Sequence, residues 1–228
     1  MTRDQFYQKQ ILKFIKNKDA KILVLGAGSL DKKIFKELNY NNVVYSNIEN
    51  TIEENLNYFV NIHDIKLDDN EFDFCVAHAC IHHSSKPHSA ILELYRVSSQ
   101  GALIIEAQDS LLSRLACKLN LSEEFELSAV EKNKVTGGVD NSEIPNYVYR
   151  WTEREVQKLM KSYKPEIAHN ILFDYGHQIK FTNLSIIHLF FKIFFLLFKK
   201  QQNLFSIFIE KNIKNIKYNK WYKKRQRF

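Results

Sequence analysis

Apolar positions along the chain switch between two spacings. Ile22, Leu23, Val24 and Leu25 form a short unbroken apolar run closed by Gly26 and Gly28, and residues 30–38 follow with helical polarity. A short apolar run, a glycine turn and then a 3.6-residue period predict strand, tight turn and helix. A second strand is expected over 42–46, around Val43, Val44 and Tyr45, and a third over 57–62. Phe74, Cys75, Val76 and Ala77 make the near-continuous apolar stretch that a strand buried on both faces needs. Residues 87–97 read as a helix and 102–106, after Gly101, as a fifth strand. This alternation predicts βαβ units and a mostly parallel sheet. Ahead of it, Tyr7, Ile11, Leu12, Phe14 and Ile15 fall at helical spacing, so an amphipathic helix should precede the first strand.

From 109 to 150 the pattern loosens into a helical stretch around 111–119 and an irregular part containing Gly137, Gly138 and Pro145. That is too long for a plain connection and is expected to be an insertion on the substrate side. Thr152 and Glu155 form a capping-box pair that opens a helix to about Met160. Ile171, Leu172 and Phe173, and then residues 203–209, supply the last two strands. Between them, residues 185–199 are unusual. On a helix Ser185, His188, Lys192 and Lys199 share a stripe about 60° wide and the rest is apolar. A bilayer span needs about 20 apolar residues, so this run is too short. It should lie in a membrane interface with its lysine flanks toward headgroups, or be buried between sheet and insertion. One domain over 1–210 and a basic tail over 211–228 follow.

Composition narrows the classes. A chain of 228 residues that is 45% hydrophobic and 13% aromatic can bury a core, which excludes a disordered protein. The net charge of +7 belongs to the end of the chain: residues 199–228 hold ten Lys or Arg against one acid, Glu210, leaving the rest net negative. A nucleic-acid partner is therefore not expected. Tyr218, Trp221 and Tyr222 among lysines suit a contact with either anionic headgroups or RNA. Cys75, Cys80 and Cys117 form no CxxC pair, which points to reduced thiols and a cytoplasmic setting, with an option of peripheral contact at the inner membrane face. Residues 1–18 have no apolar core of the signal-peptide kind.

The candidate chemistry starts at Gly26-Ala27-Gly28, where backbone can approach a ligand and the next helix presents free N–H groups. Then come, in order, a polar residue ending strand two (Asn47), Asp64, Phe72-Asp73 before strand four, His82-His83 after it, and Arg96-Val97 and Gly101 ahead of strand five. In this order the segment from Lys21 to Glu106 resembles the class I S-adenosylmethionine-dependent methyltransferases, in particular the type 11 group that includes quinone-biosynthesis enzymes. The resemblance implies a Rossmann-like, doubly wound α/β fold whose seven-stranded sheet has the order 3-2-1-4-5-7-6, with helices on both faces. It implies S-adenosyl-L-methionine as cofactor, with Gly26, Ala27 and Gly28 on its methionine part, Asn47 or the nearby Glu49 on the ribose, and Asp64 with the Ile65 amide on the adenine. The acid usual two positions before the first glycine is Val24 here.

His78, ending strand four, and Glu106, ending strand five, lie at the sheet edge where open α/β sheets bind ligands and are the candidates for a catalytic base. His78 and His83 are also expected to line the cofactor cleft, while His63 reads as a surface residue. No HExxH spacing occurs, so no metal is expected. Tyr149, Arg150 and Trp151 are the candidates for the acceptor side. The acceptor itself is expected to be a small molecule, a sugar or polysaccharide precursor, or a lipid. A nicotinamide dehydrogenase is disfavoured because Asp31 stands where GxGxxG needs its third glycine. A cofactor-free relative serving as a membrane-associated binding module is the other reading.

Overall fold

The computed structural model describes residues 2–48, 58–131, 136–178, 185–212 and 216–225. Its centre is a seven-stranded sheet of order β3-β2-β1-β4-β5-β7-β6, the predicted order. The strands are β1 (Ile22–Leu25), β2 (Val43–Asn47), β3 (Tyr58–Phe59), β4 (Phe72–His78), β5 (Ser98–Ala107), β6 (Asn170–Gly176) and β7 (Leu204–Glu210). The β1–β5 block is parallel, and β7 runs antiparallel between β5 and β6. Of the third strand expected over 57–62, residue 57 lies outside the described residues, and among the rest Tyr58 and Phe59 pair with Ser46 and Asn47.

Burial on both faces explains why β1 is apolar throughout. Leu23 and Leu25 enter one core layer with Ile91 and Leu94 of α3 (Pro87–Val97), and with Val156 and Met160 of α6 (Glu153–Tyr163). Ile22 and Val24 enter the other, with Phe6, Tyr7 and Ile11 of α1 (Arg3–Phe14) and Ile34 and Phe35 of α2 (Ser29–Glu37). The helix predicted ahead of the first strand is therefore part of the core. Its Thr2 cap is reciprocal, since the Thr2 Oγ1 accepts from the Gln5 N–H and the Thr2 N–H donates to Gln5 Oε1.

The 109–150 segment holds α4 (Leu111–Lys118) and α5 (Leu127–Glu131) and returns at Trp151, which is fully buried and bridges Gln108. Thr152 caps α6 through the Glu155 N–H at 3.2 Å, but the box does not close. The Glu155 carboxylate is drawn instead to the Tyr149 hydroxyl and to His88 Nε2. After β6, α7 (Ser185–Leu197) joins the two antiparallel strands as expected. Beyond β7, residues 217 and 219 bond back to residues 165–168, and α8 (Lys220–Arg225) follows.

Candidate functional site

A cleft of about 310 Å³ opens at the carboxyl ends of β1, β2, β3 and β4. That is the edge where crossover connections leave a crevice in open α/β sheets, and the volume is at the small end of the range for small-molecule sites. Gly26, Asn47, Asn61, Ile62, Cys80 and His83 line it, and Gly137, Gly138, Asp140 and Asn141 close it from the insertion. Gly26 takes φ of +63°, and a Cβ there would stand 2.4 Å from Cys80 Cβ. Only glycine meets both conditions. Ala79, also in the wall, is left-handed at φ +51°, a strained conformation held by its N–H donating to the Ile105 carbonyl.

The predicted cofactor residues separate into three groups. Gly26, Asn47 and His83 line the cleft. Ala27 points its methyl into the core, while its carbonyl accepts from Asn47 Nδ2 at 3.3 Å. Gly28 caps α2 in extended conformation, and its N–H donates to Asp31 at 2.9 Å. Asp31, which also accepts from the Tyr7 hydroxyl at 2.8 Å, thus places a carboxylate of the chain itself at the first turn of α2. Pyrophosphate would meet that negative charge, which argues against dinucleotide binding. Glu49 lies outside the described residues.

Asp64 and Ile65 are not in the cleft wall. The Asp64 carboxylate is surface-exposed and paired with Lys66 at 2.7 Å, which holds its pKa below the usual carboxylate range. The Ile65 N–H donates to Glu93 and its carbonyl accepts from Arg96, so α3 pins this segment away from the cleft. Asn61 and Ile62 line the cleft in their stead. An amide followed by an apolar residue in an irregular loop carries no pattern of its own, so sequence reading passes over it. His63 is also not a surface residue, being largely buried with Nδ1 2.7 Å from Ser84 Oγ.

Neither proposed base is placed to act as one. His78 stacks on Tyr7 with ring centroids 4.2 Å apart, and its Nε2 accepts from Arg3 Nε at 3.1 Å. Burial, with the Arg3 charge, pushes its pKa down to about 3, so it is a neutral and weak base. It lies under α1 rather than in the wall of the cleft. Glu106 is buried and spent on structure: Oε1 accepts from the Ile81 N–H at 2.8 Å and Oε2 meets His82 Nδ1 at 2.7 Å. Burial would raise its pKa, but the His82 charge and hydrogen bond outweigh that and hold it low.

His82 and His83 gather around Glu126, an acid of the insertion that no sequence pattern picks out. Each Nε2 lies 3.4 Å from Glu126 Oε2. Burial opposes a charge on His82, but Glu106 and Glu126 prevail and raise its pKa to about 9. Burial and the neighbouring His82 lower that of His83. Of the three residues expected on the acceptor side, Tyr149 and Arg150 line a further cavity of about 530 Å³ with Arg114 and Glu124, whereas Trp151 is core.

Residues 36–105 match a family model described as a methyltransferase domain. No curated protein matches the sequence. Among solved structures the chain is similar to a SAM-dependent methyltransferase from Archaeoglobus fulgidus (11% identity, TM-score 0.54, covering 91% of this chain and 94% of that one). It is also similar to the Burkholderia thailandensis 1,6-didemethyltoxoflavin-N1-methyltransferase, solved with its substrate and S-adenosylhomocysteine (13%, 0.55, 92% and 79%). A SAM-dependent methyltransferase from Methanosarcina mazei is a third (18%, 0.53, 90% and 98%).

Proposed function

We propose that this chain, whose family match and fold are those of the class I S-adenosylmethionine-dependent methyltransferases, binds S-adenosyl-L-methionine in the cleft at the ends of β1–β4 and passes its methyl group to a small-molecule acceptor. The observation that carries the proposal is Gly26. Its left-handed backbone and the absence of a Cβ against Cys80 keep the strand-to-helix turn open on the cleft, where the resemblance to class I methyltransferases implies the methionine part of the cofactor.

The residues present fit that ligand. Gly26 leaves backbone exposed toward the methionine part, the Asn47 amide stands at the end of β2 for the ribose hydroxyls, and Asn61 with Ile62 offers a polar and an apolar surface for the base. No acid at residue 24 and an amide rather than a carboxylate at residue 47 make this a less charge-assisted site. The cofactor, when bound, supplies a methyl group already activated on a sulfonium. The protein's share is then alignment and exclusion of water. Residues 137–141 supply the cover: the Gly137 carbonyl accepts from His83 and the Asp140 carboxylate from the Ser85 N–H. With His78 and Glu106 both engaged elsewhere, neither is assigned the role of base.

The acceptor enters from the 109–150 side, where Tyr149 and Arg150 border their cavity. The Burkholderia neighbour holds 1,6-didemethyltoxoflavin, and a plantazolicin methyltransferase is another neighbour (14% identity, TM-score 0.52). A second feature favours work beside a membrane on the cytoplasmic side: Leu189, Ile193, Leu196, Leu197 and Phe198 are all exposed on and just after α7, next to exposed Lys199 and Lys200. Sugar-lipid and lipid acceptors accord with that face.

Calorimetric titration of the full chain with S-adenosylhomocysteine tests the central claim. Binding in the micromolar range, weakened at least tenfold in Gly26→Ala, is expected. No binding at millimolar ligand would sink it and leave the membrane-associated binding module as the reading.

A further inference from the structure

We propose that His82, His83 and Glu126 form a binding site for a divalent cation of the zinc type at the border of the cleft. Their ligating atoms, His82 Nε2, His83 Nε2 and a Glu126 carboxylate oxygen, lie within 4.8 Å of one another. Two nitrogens and a carboxylate are a donor set that zinc accepts with a coordination position left open.

The geometry around the ligands matters more than their proximity. Each histidine has its Nδ1 engaged by an oxygen, Glu106 Oε2 at 2.7 Å for His82 and the Gly137 carbonyl at 3.1 Å for His83. Donation from Nδ1 fixes both rings in the tautomer that leaves the Nε2 lone pair available, and both Nε2 atoms approach the same carboxylate. Glu126 is held in turn by Asn146 Nδ2 at 3.2 Å, from a side chain that is itself buried. All three ligands therefore have an outer partner that orients them, the arrangement that metal-binding histidines and carboxylates share.

The separation is compatible with a shared ion. A charge-assisted N–H···O bond closes to about 2.8 Å. Both Nε2–Oε2 distances are 3.4 Å. Ligands bound tetrahedrally at zinc distances stand about 3.4 Å apart. Binding an ion displaces the proton from His82 Nε2, after which the two carboxylates Glu106 and Glu126 leave a net negative, largely buried pocket that a dication neutralises. The competing occupant is a proton on His82 Nε2, bridging the two acids.

His83 and Gly137 also line the cleft, so the ion would border it and hold an oxygen or nitrogen of the methyl acceptor in an open position. That extension rests on the methyltransferase reading; the ion site does not.

The full-length chain, stripped with a chelator, is titrated with Zn²⁺ alone and with Co²⁺ as a spectroscopic substitute. One equivalent of zinc per chain at micromolar affinity or tighter is expected, together with the visible absorption of cobalt in a low-coordinate nitrogen and oxygen site. His83→Gln and Glu126→Gln should each weaken binding at least tenfold and abolish the cobalt band. Far-UV circular dichroism reports whether each has folded, and the better-folded variant decides. Glu106→Gln should weaken binding by about ten- to a hundredfold as an outer partner. No zinc binding at tens of micromolar, or binding unchanged in the two ligand variants, would overturn the site and leave the proton as occupant. A parallel titration with S-adenosylhomocysteine separates the readings. Loss of zinc binding alone removes the ion site, and loss of the nucleoside alone removes only its role toward an acceptor.

Discussion

Gly26 and Cys80 meet across the floor of the cleft, and their contact sets what the turn tolerates. Gly26→Ala imposes a left-handed φ on a residue with a Cβ, at about 1–3 kcal/mol, and adds a clash with Cys80. A lower melting temperature and at least tenfold weaker S-adenosylhomocysteine binding are expected. Adding Cys80→Gly should recover the steric part of the stability loss and leave the backbone part, which denaturation of single and double variants resolves. His78 gives a pH-dependent prediction. Its folded pKa, about 3, lies below the ordinary value of 6.5, because burial and Arg3 disfavour the charged ring. The neutral form is what the fold binds, so its contribution is complete above pH 6.5 and is lost as pH falls toward 3. His78→Gln keeps an acceptor for Arg3 and cannot titrate. The wild type should therefore lose more stability than this variant between pH 7 and pH 5, and equal losses would contradict the assignment. Glycine at 26 was legible as a turn because a left-handed φ after a strand is marked in sequence by that residue. Asp64 misled because its carboxylate suits adenine, while the Arg96–Glu93 clamp that turns residues 64 and 65 outward is a tertiary contact with no local signature.

At the scale of elements, patterning carried most of the fold. A strand buried on both faces reads as an unbroken apolar run, and β1, β4 and β5 are each such strands. β3 was overextended because the two residues that pair there are set by where β2 ends, which periodicity does not encode. The 109–150 segment was legible only as an irregularity. Glu126, Asn146 and Gly137 act through contacts with residues far away in the chain, so neither spacing nor type marks them. α1 is the opposite case, since its amphipathic spacing foretold a packed face. Phe6 is fully buried, and its ring lies where a Cβ on Gly176 of β6 would come within 2.6 Å, so the helix is seated against the far strand as well as the sheet centre. Phe6→Ala should cost about 3–5 kcal/mol in urea denaturation, the usual range for removing a buried aromatic. A loss below 1 kcal/mol would mean that α1 is not part of the cooperative core.

For the molecule as a whole, the distribution of charge and apolar surface bears on where the chain resides. No helix among the described residues is long and apolar enough to cross a membrane. α7 nevertheless turns Leu196 and Leu197 to solvent at 66% and 74% exposure, with Phe198 beyond them, and exposed Lys192, Lys199 and Lys200 lie alongside. Burying one such leucine in a lipid interface is worth up to about 1.5–3 kcal/mol. A lysine close to an anionic surface adds about 1 kcal/mol. A few of each give a reversible association, strong enough to detect and weak enough for salt to weaken it. In flotation with vesicles containing anionic lipid, the full chain should rise with the vesicles at low salt and much less at high salt, because the lysine contribution is screened. Leu196→Asp with Leu197→Asp should stay at the bottom, yet bind S-adenosylhomocysteine as the wild type does, since both residues lie outside the cleft wall. Flotation that survives these substitutions would move the contact to the basic segment after β7. No flotation of the wild type would remove the membrane from the account and leave α7 to explain by a protein partner.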